Sequence, residues 1–400
     1  MSRHGYRQMM RSFSKTGLGA VTAATMATST FAIVAASVLA AQLIDEFEIT
    51  RAQVGVLALA NGLMGALASP LFGRVTDWLG SYRSVVGALV AGAVTLTTWA
   101  IAPTYQLLVV AALLTGLANA WGNPSTNALI VDNIPPGMRG VVTGIKQSGV
   151  QAGTFLGGLL LPAFAALWSW RAAILVFLAM PIGGLIGMVG KREGSHTHVR
   201  KPRHKAPLPV SVRWVAAYGL MSGLATSAMI GFLPLFANED LGWSEAAGGA
   251  MVALTGLAGI FARVLWPRFS ERTIGHGRTL RILAVMSTFS AILLALTSLD
   301  VLAGWALFPA VALLGGGAVA WNAVGMLAVM DFAPEGGVGK GTGFVLLGFL
   351  LGLAVGPVLM GLSVDQLGSY TPGWIATAVL LVFSALISFR IPAGTTVART

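Results

Sequence analysis

The 400-residue chain contains no cysteine, so neither a disulfide framework nor a thiolate metal site can be built from it. Charge is scarce as well: only 10% of residues are charged, where soluble proteins carry about a quarter. No Asp or Glu falls in the middle of an apolar segment, which removes the buried carboxylate that cation-expelling antiporters use as a proton relay. The five histidines, His4, His196, His198, His204 and His276, all stand in basic, polar stretches and none in an apolar one. There is no Walker loop and no clustered Ser/His/Asp or metal-ligand set, so the sequence predicts neither an enzyme nor a bound metal or cofactor.

What remains is apolar. Hydrophobic residues make up 56% of the chain, which places it among integral membrane proteins of the all-α class. A net charge of +11 would ordinarily raise nucleic acid as a partner. Here most Lys and Arg sit on alternate loops, the signature of membrane topology, so no nucleic-acid partner is expected. Apolar segments are predicted to about Leu43, from Thr50 to near Leu71, then at about 84–102, 105–131, 140–166 and 172–190. After a basic stretch they resume at about 213–238, 246–267, 279–298, 301–330, 341–364 and 373–390, making twelve. The N-terminal run follows Arg3, Arg7, Arg11 and Lys15 but is too long for a signal peptide and lacks a cleavage site. Thr50 to Gln53 has capping-box spacing at the start of helix 2.

Domain boundaries follow: a six-helix bundle over 1–190, a cytoplasmic linker over 191–212, and a second six-helix bundle over 213–400. Placing both termini in the cytoplasm puts Arg74, Arg83, Arg139, Arg268, Arg272, Arg278, Arg281 and Lys340 on that side. The opposite side keeps Arg51 and Arg171 beside a row of acids. The two bundles are related copies. Aligned so that Asp77 falls on Glu271, Thr50 meets Ser244, Gly55 meets Gly249, Gly62 meets Gly256 and Arg74 meets Arg268. Aligned so that Asp132 falls on Asp331, Asn123 meets Asn322 and the series Gly149, Gly153, Gly157 meets Gly348, Gly352, Gly356. That glycine spacing suits close helix packing. Two parallel six-helix halves are a transporter architecture, with sites near the bilayer midplane.

The stretch GRVTDWLGSYR, between helices 2 and 3, suits a tight cytoplasmic turn carrying Gly73, Arg74, Asp77, Gly80 and Arg83. Here the sequence resembles the major facilitator superfamily, whose signature in this place is Gly-x-x-x-Asp-x-x-Gly followed by basic residues; Trp78 and Ser81 stand where the family commonly has basic residues. Helix count, linker position, half-repeat and the weaker copy Arg268–Gly275 extend the resemblance to nearly the whole chain. The resemblance implies a secondary transporter working by rocking of two bundles, and a charge latch in which Asp77 meets cytoplasmic basic groups and Asp132 meets Arg139. Simple anchoring and turn chemistry are the alternative for those residues.

The candidate binding residues centre on Lys146, which stands roughly 10 Å into its segment at helical rise. An ionisable group at such depth is a functional candidate. Gln147 and Gln151 follow it, and its repeat partner is Val345, so the polarity lies in one half only. Either Lys146 meets the cargo or it pairs structurally with Asp132. Asn119, Asn123 and Asn127 recur every four residues along helix 4 and are either a cavity wall or interhelical glue. Asn61, Trp321 and Asn322 complete the candidate set; Arg263, near the cytoplasmic end of helix 8, is expected to snorkel. Net positive polarity points to a small organic or inorganic anion, and Gly144–Gly149 (GIKQSG) is similar to stretches in cyanate-porter-type members of the superfamily. The partners expected are that solute, the bilayer and, as coupling ion, protons, with the chain acting as a monomer. Two rivals stay open: an exporter of hydrophobic or cationic compounds, favoured by Met221, Met229, Trp321 and Met326, and a non-transporting receptor on the same fold.

Overall fold

A computed structural model describes residues 15–135, 139–190, 207–334 and 338–394. Among the described residues there is no strand, and twelve helices are long and apolar enough to cross a bilayer. They are α1 (Gly17–Val38), α2 (Arg51–Leu79), α3 (Ser81–Ile101), α4 (Tyr105–Asn133), α5 (Val142–Leu167) and α6 (Trp170–Met188), then α7 (Val210–Glu239), α8 (Glu245–Ile274), α9 (His276–Ser298), α10 (Gly304–Phe332), α11 (Lys340–Leu367) and α12 (Thr371–Ser388). Most backbone donors and acceptors in a helix are satisfied within its own segment, which is what lets so apolar a chain sit in lipid.

Local chemistry sets the helix ends. At the start of α2 the Thr50 N–H donates to Gln53 Oε1 (2.8 Å) and the Gln53 N–H donates to Thr50 Oγ1 (3.2 Å), the reciprocal capping box expected from sequence. In the second copy Ser244 caps α8 by accepting from the Ala247 N–H (3.3 Å). The turn between α2 and α3 is tighter than expected: α2 runs on through Gly73 and Asp77 to Leu79, and Gly80 alone makes the turn, at φ 82°. Gly275 repeats it between α8 and α9, at φ 80°. The copies differ there by one residue. Gly80 N–H bonds back to Thr76 O, whereas Gly275 N–H reaches Ser270 O across the π-helical turn Ser270–Ile274. Pro209 precedes α7, whose first residue, Val210, lies inside the stretch expected as linker; residues 191–206 are outside the described part.

The described residues fall in two compact units, one within Met1–Ala35 and Leu63–Val199, the other within Ala36–Gly62 and Arg200–Thr400. In the first, α5 lies directly on α1: a Cβ at Gly149 would collide with the Ala23 carbonyl, while Gly153 faces Ala27 and Gly157 faces Phe31. Leu18, Val21, Val85, Leu89, Leu129 and Met188 form a buried apolar cluster. In the second unit α11 lies on α7 in the same manner, with Gly348 against Ala216, Gly352 against Leu220 and Gly356 against Leu224. The small-residue series therefore brings backbones together in both copies.

The second unit also holds the stretch 36–62, which comes from the first half of the sequence. Pro234 has no N–H to offer the carbonyl four residues before it, and Ser37 Oγ supplies the missing donor to Ile230 O (2.7 Å). Gly55 and Gly62 press against Pro357 and Ala354 of α11, and Gly361 presses against Arg51 and Ala52.

Candidate functional site

Lys146 stands on α5 and is 1% exposed, yet its ammonium has no carboxylate within ion-pair distance among the described residues. Its Nζ donates to Asn127 Oδ1 (2.6 Å) and Asn123 Oδ1 (3.1 Å), both on α4. The expected alternative partner, Asp132, does not reach it: that carboxyl sits at the end of α4, half-buried, with Oδ1 buried and unpartnered. The Asn stripe thus solvates the cation from the neighbouring helix.

The chemistry of the amides follows. An ammonium has only donors, so each asparagine must turn its oxygen inward. Asn123 and Asn127 are themselves exposed, and their NH2 groups are left facing away from the lysine. The arrangement presents N–H donors backed by an uncompensated positive charge. An exposed amide row on a spanning helix fits a wet surface and not lipid. Pro124, between the two asparagines, interrupts the regular bonding of α4, and the Thr126 and Ser125 hydroxyls take the Gly122 carbonyl (2.6 and 3.0 Å).

The other candidates are scattered. Asn119 is half-buried on the same stripe, Gln147 is half-buried, and Gln151 is buried; none has a hydrogen-bond partner among the described residues. Asn61 belongs to the second unit, where its Oδ1 is buried and unpartnered. Trp321 is a core side chain there, 1% exposed, tilted against Tyr218 and edge-on to Phe349 (centroids 5.5 and 5.1 Å). Gly219 leaves the room its ring occupies. Asn322 beside it is half-buried.

Arg74, Asp77 and Arg83 are exposed and form no ion pair among the described residues. Gly73 has open space where a Cβ would stand, so no close approach demands a glycine there. The side chain of Arg139 lies outside the described residues, and with it the expected pair to Asp132.

Two clusters in the second unit went unforeseen. Arg51 grips Glu239 with Nε and Nη2 (2.9 and 2.8 Å), and Tyr370 Oη donates to the same carboxylate (2.6 Å). Burial and that carboxylate acceptor push the Tyr370 phenol above its ordinary pKa. Asp365 accepts from the Arg51 and Ala52 N–H groups (3.2 and 2.8 Å), satisfying the open N-terminus of α2. These residues are far apart in sequence, and only their placement on one side of the membrane was legible. In the second cluster His276 opens α9 at 2% exposure, with Nδ1 on Ser270 Oγ (2.7 Å) and Nε2 on Asp331 Oδ2 (3.0 Å). Its equivalence to Ser81, next to the matching turn glycine, was the available signal.

The family model of the Major Facilitator Superfamily matches residues 18–343. The chain is 26% identical over 352 residues to the multi-drug resistance efflux pump PmrA of Streptococcus pneumoniae, covering 84% of this chain and 86% of that one. It is 23% identical over 399 residues to the hexuronate transporter of Bacillus subtilis, covering 90% and 92%. Its fold matches a solved bacterial homolog of the human lysosomal transporter Spinster at a TM-score of 0.72, with 16% identity over 94% of this chain and 96% of that one. The nucleoside transporter NupG matches at 0.75, with 14% identity over 94% and 99%.

Proposed function

The chain belongs to the Major Facilitator Superfamily as a multi-pass membrane transporter of a small molecule, and we propose that its cargo is a small organic or inorganic anion. The observation that carries this reading is the Lys146 ammonium, solvated by Asn123 and Asn127 without a carboxylate, which leaves positive charge and amide donors on offer. A carboxylate or inorganic oxyanion supplies the missing charge. The similar hexuronate transporter bears a name that denotes a sugar carboxylate, which leans the same way.

In this reading Lys146, Asn123, Asn119, Gln147, Gln151 and Asn61 contact the cargo from the first bundle, and Trp321 and Asn322 from the second. The cycle is alternating access in the cytoplasmic (inner) membrane, with both termini in the cytoplasm because the basic turns lie on that side. The bundles are 1–190 and 213–400, joined by the cytoplasmic stretch 191–212. Gly73, Arg74, Asp77, Gly80, Arg83, Asp132 and Arg139 form the cytoplasmic gate, and Asp77 finds its basic partners in another state of the cycle. With no carboxylate mid-span, a coupled proton travels with the cargo.

The test is stabilisation of the purified protein by ligand, since a ligand that binds the native fold raises its apparent melting temperature. Glucuronate, acetate, phosphate and chloride are compared with ethidium, in wild type and Lys146→Ala. An anion that stabilises wild type and loses its effect in the variant supports the reading. Equal stabilisation of both proteins removes Lys146 from the site. The second reading, export of hydrophobic or cationic compounds, is favoured by the similarity to an efflux pump and wins if ethidium alone stabilises.

A further inference from the structure

α8 carries a second cation inside a span. The exposed apolar side chains Leu254, Leu257, Phe261, Val264 and Leu265 mark one face of this helix. Arg263 falls on the opposite face, in line with buried Val252, Gly256 and Gly259. The helix also extends to Ile274, beyond the expected end, which places Arg263 about 16 Å in from that terminus at helical rise.

The guanidinium is held by a break in α10. Along the π turn Leu314–Ala318, Val319 N–H bonds back to Leu314 O; next, Ala320 N–H bonds to Gly317 O and Ala323 N–H to Ala320 O. Those shifted bonds take the usual donors away from the carbonyls of Gly316 and Val319. Both are satisfied from α8: Trp266 Nε1 donates to Gly316 O (2.8 Å) and Arg263 Nε donates to Val319 O (3.3 Å). This second bond uses Nε alone. The terminal nitrogens have no protein partner and no carboxylate pairs with the guanidinium among the described residues. A guanidinium held so in a spanning helix keeps four of its five N–H donors for water or an anion.

We propose that Arg263 is an oxyanion-binding residue, its Nε fixed on the Val319 carbonyl so that Nη1 and Nη2 are presented as a fork to a carboxylate, phosphate or similar group. This rests on the anionic cargo inferred above and narrows it: a fork of two parallel N–H groups selects anions with paired oxygens over spherical ones such as chloride. Lysine keeps the charge and loses the fork.

The experiment uses the full-length protein in detergent with glucuronate, acetate, inorganic phosphate and chloride as probes at matched ionic strength, reading the half-saturating concentration from the thermal shift. In Arg263→Lys the concentration needed of whichever oxyanion stabilises wild type should rise at least tenfold, and any chloride response should stay unchanged. Arg263→Gln should lose the oxyanion response; if this variant does not fold, the lysine variant alone decides. Trp266→Phe removes the other α8 donor to the same turn and should bind like wild type. If Trp266→Phe weakens binding as much as Arg263→Lys, Arg263 only props α10 and the proposal falls. It also falls if Arg263→Lys binds like wild type while Lys146→Ala does not, an outcome that leaves the anion reading standing. If no anion stabilises wild type, the anion reading itself is lost and this proposal with it.

Discussion

The Lys146 ammonium is held by two amide acceptors, and these make separable predictions. Asn127→Ala removes the shorter bond and should cost about 1–3 kcal/mol, read as a lower melting temperature without ligand. Asn127→Asp puts a carboxylate where the amide oxygen was, so the fold should hold while stabilisation by added anions is lost. An Asp variant that still responds to anions like wild type would show that the charge on Lys146 is not what they meet. Asp240 behaves oppositely. Burial raises its pKa, against the hydrogen bond from Ser298 Oγ (3.2 Å), so the folded protein holds the proton more tightly than the unfolded chain. Stability from this group is gained as pH falls through the folded pKa and is absent above it. Asp240→Asn should therefore melt higher than wild type at neutral pH, with the advantage shrinking on acidification.

At the scale of elements, the glycine series gives a graded test. Gly149 and Gly356 each lie where a Cβ would strike a carbonyl, of Ala23 and Leu224 respectively, whereas Gly144 has open space around it. Gly149→Val and Gly356→Val should prevent folding or sharply reduce yield, and Gly144→Ala should express and melt like wild type; size-exclusion profiles distinguish these outcomes. Helices, caps and this packing were legible because they depend on composition and spacing within a few turns. The Lys146 partners were half-legible. α4 ends at Asn133 and helix resumes at Arg139, so in an antiparallel pair, counting equally from those two ends brings Lys146 close to level with Asn127, and Asp132 is too near the helix end. The asparagine stripe was visible, but counting from the turn was needed to choose it over the carboxylate. Arg51 with Glu239 and Asp365 could not be read at all, since nothing local encodes a pair so distant in sequence. As an exposed network it is worth roughly 1 kcal/mol per pair or less, too little to hold a state permanently and of the size a transport cycle can break.

For the whole molecule, the two copies share architecture and divide chemistry. The first carries the lysine, the asparagine stripe and the exposed Arg74, Asp77 and Arg83; the second carries Arg263 of α8, bonded beside the π turn of α10, and the His276–Asp331 pair. Asp77→Asn should leave membrane insertion intact and slow transport in liposomes, and unchanged uptake kinetics would end its role as a gate. The surplus residue in the turn before Gly275 bears on any attempt to exchange the copies. A chimera spliced ahead of Ser270 inherits the extra residue together with the π turn that absorbs it, and one spliced at the glycine takes neither; because Thr76 O and its counterpart Ser270 O both accept from the turn glycine, either graft keeps the facing of the helix upstream. Whoever recombines these halves must move the added residue and its wide turn together, or the helix will arrive out of step.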